Sequence, residues 1–232
     1  MIETIPSTRA GRWGLLTALV KRWRRPLTGP DGYSQGCVDD AERRLRIQVP
    51  LTLREWYRLA GNRKDLWSEQ DESIPPNRLE VDDVLTIYVE NQSVVRWGIR
   101  RGDLDEDDPP VFVSDVDDRS VWHLENGSVT EFALQMFASN LKWSRHNRCD
   151  ANGAGNLEAL RVIAASYRRL PFPDWHWPAW PTRLYGNDDI VIEHNGTGDD
   201  AWLWVCARTE EAFRMLESLV LPTGLQWESS SG

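Results

Sequence analysis

The spacing of apolar residues changes along this chain, and each change predicts an element. Over residues 9–60 apolar positions recur at helical spacing, with breaks at proline and glycine. A first helix is predicted over 13–24, stopped by Pro26 and the turn-rich Gly29-Pro30-Asp31-Gly32. A second is predicted over 41–47, capped by Asp39 or Asp40 and broken by Val49-Pro50. A third covers 53–60, with Thr52 as N-cap, Glu55 completing a capping box and Gly61-Asn62 ending it.

Beyond residue 84 the pattern becomes β-like. Residues 84–89 (VLTIYV) and 94–99 (VVRWGI) are rich in β-branched and aromatic side chains, and Glu90-Asn91-Gln92-Ser93 joins them as a hairpin. Strands over 111–113 and 120–124 follow; the connections are too short for parallel pairing, so the sheet is antiparallel. Thr130 then caps a helix over 131–143 with Phe132, Met136, Phe137, Leu141 and Trp143 largely along one side. Residues 147–155 read as a polar, Gly-rich joint, followed by a helix over 157–170 and a Pro/Trp-rich loop. Strands near 182–185, 190–194 and 201–207 and a helix over 210–219 complete the pattern, with a hairpin signal at Asn195-Gly196. The expected fold is α+β, a mainly antiparallel sheet flanked by helices, with a C-terminal α/β extension. The expected divisions are a basic N-terminal helical segment (1–30), a central domain (31–148) and a C-terminal α+β extension (149–232) packed on the core, either a second unit or a continuation of the first sheet.

Composition changes the picture in two ways. Thirteen Trp in 232 residues supply a large core, each burying roughly 150–250 Å². The net charge of −9 argues against a nucleic-acid partner and for either solubility or attraction to a basic partner. Residues 9–25 run against this trend, with Arg9, Arg12, Lys21, Arg22, Arg24 and Arg25 and no acid; they form either a helix packed on the acidic body or an arm for nucleic acid or membrane. Cys37, Cys149 and Cys206 make neither a disulfide framework nor a zinc site, which fits a reducing cytoplasm. No apolar run is long enough to span a membrane, so none is expected as a partner.

Catalytic patterns are missing. His123, His146, His176 and His194 show no metal-ligand pairing, no nucleophile elbow occurs, and Gly153-Ala154-Gly155 and Asn195-Gly196-Thr197-Gly198 fit no phosphate loop. No enzyme activity, metal or cofactor is expected. The most informative feature is acidic. Asp103, Asp105, Glu106, Asp107 and Asp108 precede Pro109-Pro110, and Asp115, Asp117 and Asp118 follow. Asp108 and Ser114 stand where a calcium loop needs Gly and Glu, which rules out an EF-hand. The cluster is a docking face for a basic partner, a pair of solvated loops or a weak metal site. Glu90, Asn91, Gln92 and Trp67 are further candidates for the partner surface, and Trp175–Trp180 holds three Trp that either cement the C-terminal half or form an exposed patch.

Three stretches resemble SMI1/KNR4 (SUKH) proteins: AERRLRIQVPLTLREWYRLAGN (41–62), YVENQSVVRWGI (88–99) and DDPPVFV (107–113). Their order and spacing carry the resemblance, which covers residues 38–145; Arg46 departs from it, standing where the family has Gly. The resemblance implies an α+β domain that works by binding proteins. In bacterial members this is immunity, neutralising toxins that are often nucleases; a fungal branch regulates cell-wall signalling. The expectation is an immunity-type, cytoplasmic protein binding a basic toxin domain, with a regulatory scaffold or adaptor as the alternative.

Overall fold

The computed structural model describes residues 2–143 and 149–231 and divides into two compact units, Pro6–Asn140 and Met1–Ile5 with Leu141–Gly232. The first unit carries helices α1 (Arg9–Trp23), α2 (Gln35–Leu45), α3 (Leu51–Ala60), α4 (Lys64–Trp67) and α5 (Val129–Asn140). Its strands are β1 (Glu72–Ser73), β2 (Glu80–Val81), β3 (Val84–Val89), β4 (Arg96–Arg100), β5 (Val111–Ser114) and β6 (Trp122–Asn126). They form one antiparallel sheet in the order β1-β3-β4-β5-β6, with β2 also pairing to β3. From Pro6 onward the basic N-terminal segment is thus part of this unit, and the division falls at residue 140.

Side-chain alternation gives the sheet two unlike faces. Leu85, Tyr88, Trp97, Ile99, Val111 and Val113 are buried on the inner face. A bulge at Ile87 keeps Tyr88 opposite Trp97. Gly98 lies against β3, where a Cβ would come within 2.7 Å of the Leu85 carbonyl oxygen, so only glycine fits. Phe132 of α5 meets Trp56, Tyr88 and Trp97 at ring-centroid distances of 6.1, 6.1 and 6.3 Å. Helix α5 is buried all round except at Glu131, not along one side as its pattern predicts, because α1, α3 and α4 pack around it as well as the sheet.

Four helices start earlier than expected, α1 at Arg9 rather than 13 and α5 at Val129 rather than 131 among them. Thr52 lies inside α3, which begins at Leu51 after Pro50; its Oγ1 donates to the Asp107 carbonyl oxygen at 2.9 Å. Helix α2 begins at Gln35 with Ser34 as its cap, earlier than Asp39 or Asp40. It ends on Arg46 in the left-handed region (φ 54°), where a glycine is the favoured residue.

The second unit is a separate sheet, not an extension of the first. It comprises β7 (Cys149–Ala154), α6 (Leu157–Ser166), β8 (Arg168–Arg169), β9 (Arg183–Asn187), β10 (Ile190–Asn195), β11 (Trp202–Ala207), α7 (Glu210–Val220) and β12 (Ser229–Ser231). The antiparallel order is β12-β7-β11-β10-β9-β8. Residues 149–154 are therefore a strand rather than a joint, held between β11 and β12; residues 147 and 148 of the predicted joint lie outside the described residues. Ile190, Ile192, Leu203, Val205 and Ala207 pack with Ile163, Phe213, Leu216 and Val220 of α6 and α7. Trp143 packs against Trp204 in a tilted contact, ring centroids 4.5 Å apart.

A buried ionic group anchors the segment between α1 and α2. Asp31 accepts from Arg25 at 2.5 and 2.9 Å and from the Thr28 amide at 2.7 Å, and Arg63 Nη1 reaches it at 3.3 Å. The Arg25 hydrogen bond, reinforced by Thr28 and Arg63, holds the Asp31 carboxyl far below the usual carboxylate range. A depressed folded-state value means that the stabilisation is complete well above the unfolded value of about 3.9 and is lost as pH falls through and below it. Asp31→Asn weakens the contacts of Arg25 and Thr28, while Arg63 keeps its two 2.7 Å bonds to Asp65; it is expected to cost about 2 kcal/mol in urea unfolding at pH 7, with the difference from wild type shrinking in acid. Arg46→Gly removes a left-handed non-glycine residue and is expected to raise stability by about 0.5–1 kcal/mol in the same measurement.

Candidate functional site

The acidic cluster divides between the two ends of β5. Successive turns of an antiparallel meander alternate ends, so the β4–β5 connection holding Asp103–Asp108 and the β5–β6 connection holding Asp115–Asp118 lie a strand length apart, about 13 Å for four residues. The expected single acidic face is therefore not formed.

At the first end, much of the charge is used inside the fold. Asp108 Oδ1 accepts from the Thr130 amide at 3.0 Å and its Oδ2 from Thr130 Oγ1 at 2.5 Å, so the start of α5 is held by the adjacent β4–β5 connection. Ser128, not Thr130, caps that helix, accepting from the Glu131 amide at 3.2 Å. Arg12 Nη1 reaches Ser128 Oγ at 2.6 Å, Thr130 Oγ1 at 3.1 Å and Asp108 Oδ2 at 3.4 Å. Arg9 pairs with Asp107 at 3.2 Å and with Glu55 at 3.2 Å. The Asp107 carbonyl oxygen also receives the Thr52 amide at 3.0 Å. Helix α1 thus packs on the acidic body through its own arginines. Asp103, Asp105 and Glu106 stay outside this network and make no side-chain ion pair or hydrogen bond among the described residues.

At the second end the β5–β6 loop is held rigid by its own acids. Asp115 Oδ2 lies 2.9 Å from His123 Nε2, while Oδ1 accepts from the amides of Asp117 and Asp118 at 2.8 and 3.2 Å. His123 and these two amides keep the Asp115 carboxyl below its ordinary value. Asp118 accepts from Ser120 Oγ at 2.6 Å and from its amide at 2.9 Å, which lowers its carboxyl likewise. The turn between β3 and β4 lies at this same end, and Arg119 donates to the Ser93 carbonyl oxygen at 2.6 Å, tying the two loops together. Asn91, Gln92, Asp117 and Asp118 are exposed here, Asp115 is half-buried, and Val116 (52%) and Val121 (42%) are exposed beside them. Leu124 (57%) projects from β6, the edge strand of the sheet.

Two sequence candidates do not reach the surface. Glu90 is buried and accepts from the amides of Gln92 and Val94 at 2.9 and 3.1 Å, closing the turn from within. Trp67 is fully buried, donates to the Ala60 carbonyl oxygen at 2.8 Å and packs edge-on to Trp56. Neither side chain is available to a partner. Val116 lies among loop carboxylates and Val121 inside the strand predicted over 120–124, so their neighbours in sequence do not mark either as exposed.

The Trp175–Trp180 segment divides: Trp175 is buried, while Trp180 is exposed (58%) and stacks on His176 at 4.7 Å. His194 is buried, and burial lowers its pKa, so it stays neutral inside the second unit; His146 lies outside the described residues. Among the described residues no group of three or more His, Cys, Asp or Glu is placed to hold a metal ion, and no helix is long and apolar enough to cross a membrane.

Compared with protein-family models, curated proteins and solved structures, the chain finds no match. Its own geometry defines the class: an α+β protein of two antiparallel sheets, with a rigid, partly acidic loop pair at one end of the first sheet.

The carboxylates fall into two kinds that stability measurements separate. Asp108→Ala removes the contact to α5 and the Arg12 partner and is expected to lower unfolding free energy by about 2 kcal/mol. Asp105→Asn is expected to stay within about 0.5 kcal/mol of wild type.

Proposed function

We propose that the chain is a cytoplasmic, non-catalytic protein-binding module of the SMI1/KNR4 kind, an immunity protein that neutralises a basic, nuclease-type toxin by direct binding. The docking surface in this reading is narrower than the full acidic cluster. It is the end of the first sheet carrying Asn91, Gln92, Asp115, Asp117 and Asp118, with Val116 and Val121 as apolar anchors.

The supporting observation is the rigidity of that loop. Asp115 and Asp118 spend their hydrogen-bonding capacity on the loop's own amides and on Ser120, so Val116 and Asp117 are presented in one shape before any partner arrives. A loop already ordered loses little entropy on binding, and apolar anchors ringed by polar groups match the anatomy of protein interfaces. Asp117 has no internal partner among the described residues, so its charge is free to meet a cation on another molecule. Asp103, Asp105 and Glu106 at the far end add long-range attraction and speed encounter without forming the contact.

The test is capture from the native host by the full chain, followed by affinity measurement with the captured protein. Val116→Asp and Asp117→Lys are each expected to weaken binding by more than about tenfold through faster dissociation, whereas Asp105→Asn changes only the salt-dependent association rate. Co-production of the chain should also relieve the toxicity of the captured protein. Unchanged affinity in both variants would remove this surface, and a partner harmless when produced alone would place the chain among regulatory adaptors instead.

A further inference from the structure

The outer face of the first sheet holds a feature of opposite charge. A cavity of about 430 Å³ opens where α2 and the turn Pro76–Arg78 overhang β3 and β4. Arg44, Asn77, Arg78, Glu80, Thr86 and Arg96 supply its polar lining. Three arginines and one glutamate thus contribute to the lining, on a chain whose net charge is −9.

The three arginines differ in how far they are neutralised. Arg78 pairs with Glu72, both half-exposed. Arg44 donates Nη2 to the carbonyl oxygens of Pro76 and Leu79 at 3.2 and 2.9 Å, which fixes its position without cancelling its charge. Arg96 lies over the Trp122 ring at 5.8 Å, and its Nε is shut off from solvent with no hydrogen-bond partner. No carboxylate pairs with Arg44 or Arg96 among the described residues. An unpaired, partly buried guanidinium carries a desolvation cost that an oxyanion offsets, and its planar fork suits carboxylate and phosphate alike.

We infer that this cavity is a binding site for a small molecule bearing a carboxylate or phosphate group, held by Arg96 and Arg44. The volume lies within the range of small-ligand sites. Glu80 and Asn77 offer acceptors on the same walls, so the ligand carries hydroxyl or amino donors beside its anionic group. The site uses none of the side chains assigned to the docking surface, and its failure would leave that reading untouched.

Calorimetric titration of the full chain with citrate, and separately with inorganic pyrophosphate, at constant ionic strength tests the inference. Saturable one-to-one binding of at least one probe is expected, and the preferred probe distinguishes a carboxylate ligand from a phosphate one. Arg96→Gln and Arg44→Gln should each weaken binding by about tenfold, the worth of one charge-assisted hydrogen bond. Arg43→Gln, one residue along α2 and outside the cavity lining, should bind as wild type does. Arg44 is exposed, so its variant carries the test should Arg96→Gln fail to fold. No saturable binding of either probe, or equal binding by the Arg44 and Arg43 variants, would overturn the site.

Discussion

The junction of Arg12, Asp108, Ser128 and Thr130 is the constraint around which the first unit is arranged. It joins residues 96 to 118 positions apart from Arg12, and it fixes the start of α1, the β4–β5 connection and the start of α5 against one another. Each member satisfies a need of another. The Thr130 amide is an orphan donor at a helix start, Asp108 is a carboxylate whose desolvation requires donors, and Arg12 supplies both charge and hydrogen bonds. With α5 placed this way, Phe132 is carried into the aromatic group of Trp56, Tyr88 and Trp97, so core and junction reinforce each other.

This arrangement changes what the acidic cluster means. Eight carboxylates in sixteen residues look like one field directed outwards, yet Asp107 and Asp108 are matched by arginines of α1, and Asp115 and Asp118 stiffen their own loop. Carboxylates that accept amide hydrogen bonds are structural elements as much as charges. The carboxylates without such contacts among the described residues are fewer, Asp117 at one end and Asp103, Asp105 and Glu106 at the other, and the antiparallel order of the sheet keeps them apart. In the proposed reading, short-range recognition falls to one loop pair, and long-range attraction to the molecule's charge as a whole.

The two faces of the first sheet divide the chemistry further. The inner face is apolar and closed by α5; the outer face mixes Arg96, Arg100, Phe112 and Trp122, with the Arg100 guanidinium lying 3.8 Å over the Phe112 ring. Guanidinium groups laid on aromatic rings cover apolar surface while keeping their charge. The charge at Arg96, unlike that at Arg78, has no carboxylate partner among the described residues, so the outer face differs in charge from the acidic sheet end.

Local chemistry alone made much of this legible. Strands β3 and β5, the hairpin at Asn195-Gly196 and helices α3 and α7 follow from apolar period and turn residues, signals complete within a few neighbours. Asn91, Gln92, Asp117 and Asp118 fall in turns that the breaks between β-like runs mark, and they are exposed there. Distant partners decided the rest. Strand β7 is too polar and glycine-rich to announce itself and exists because β11 and β12 complete its hydrogen bonds. Trp67 and Glu90 share a composition with surface anchors but are claimed by Ala60 and by the β3–β4 turn. The division of the acidic cluster depended on which end of a sheet each loop occupies. A sequence fixes which groups seek partners, because that is intrinsic to each side chain; only the packed chain decides which partner stands within 3 Å, because hydrogen bonds and ion pairs act over that distance and not along the chain.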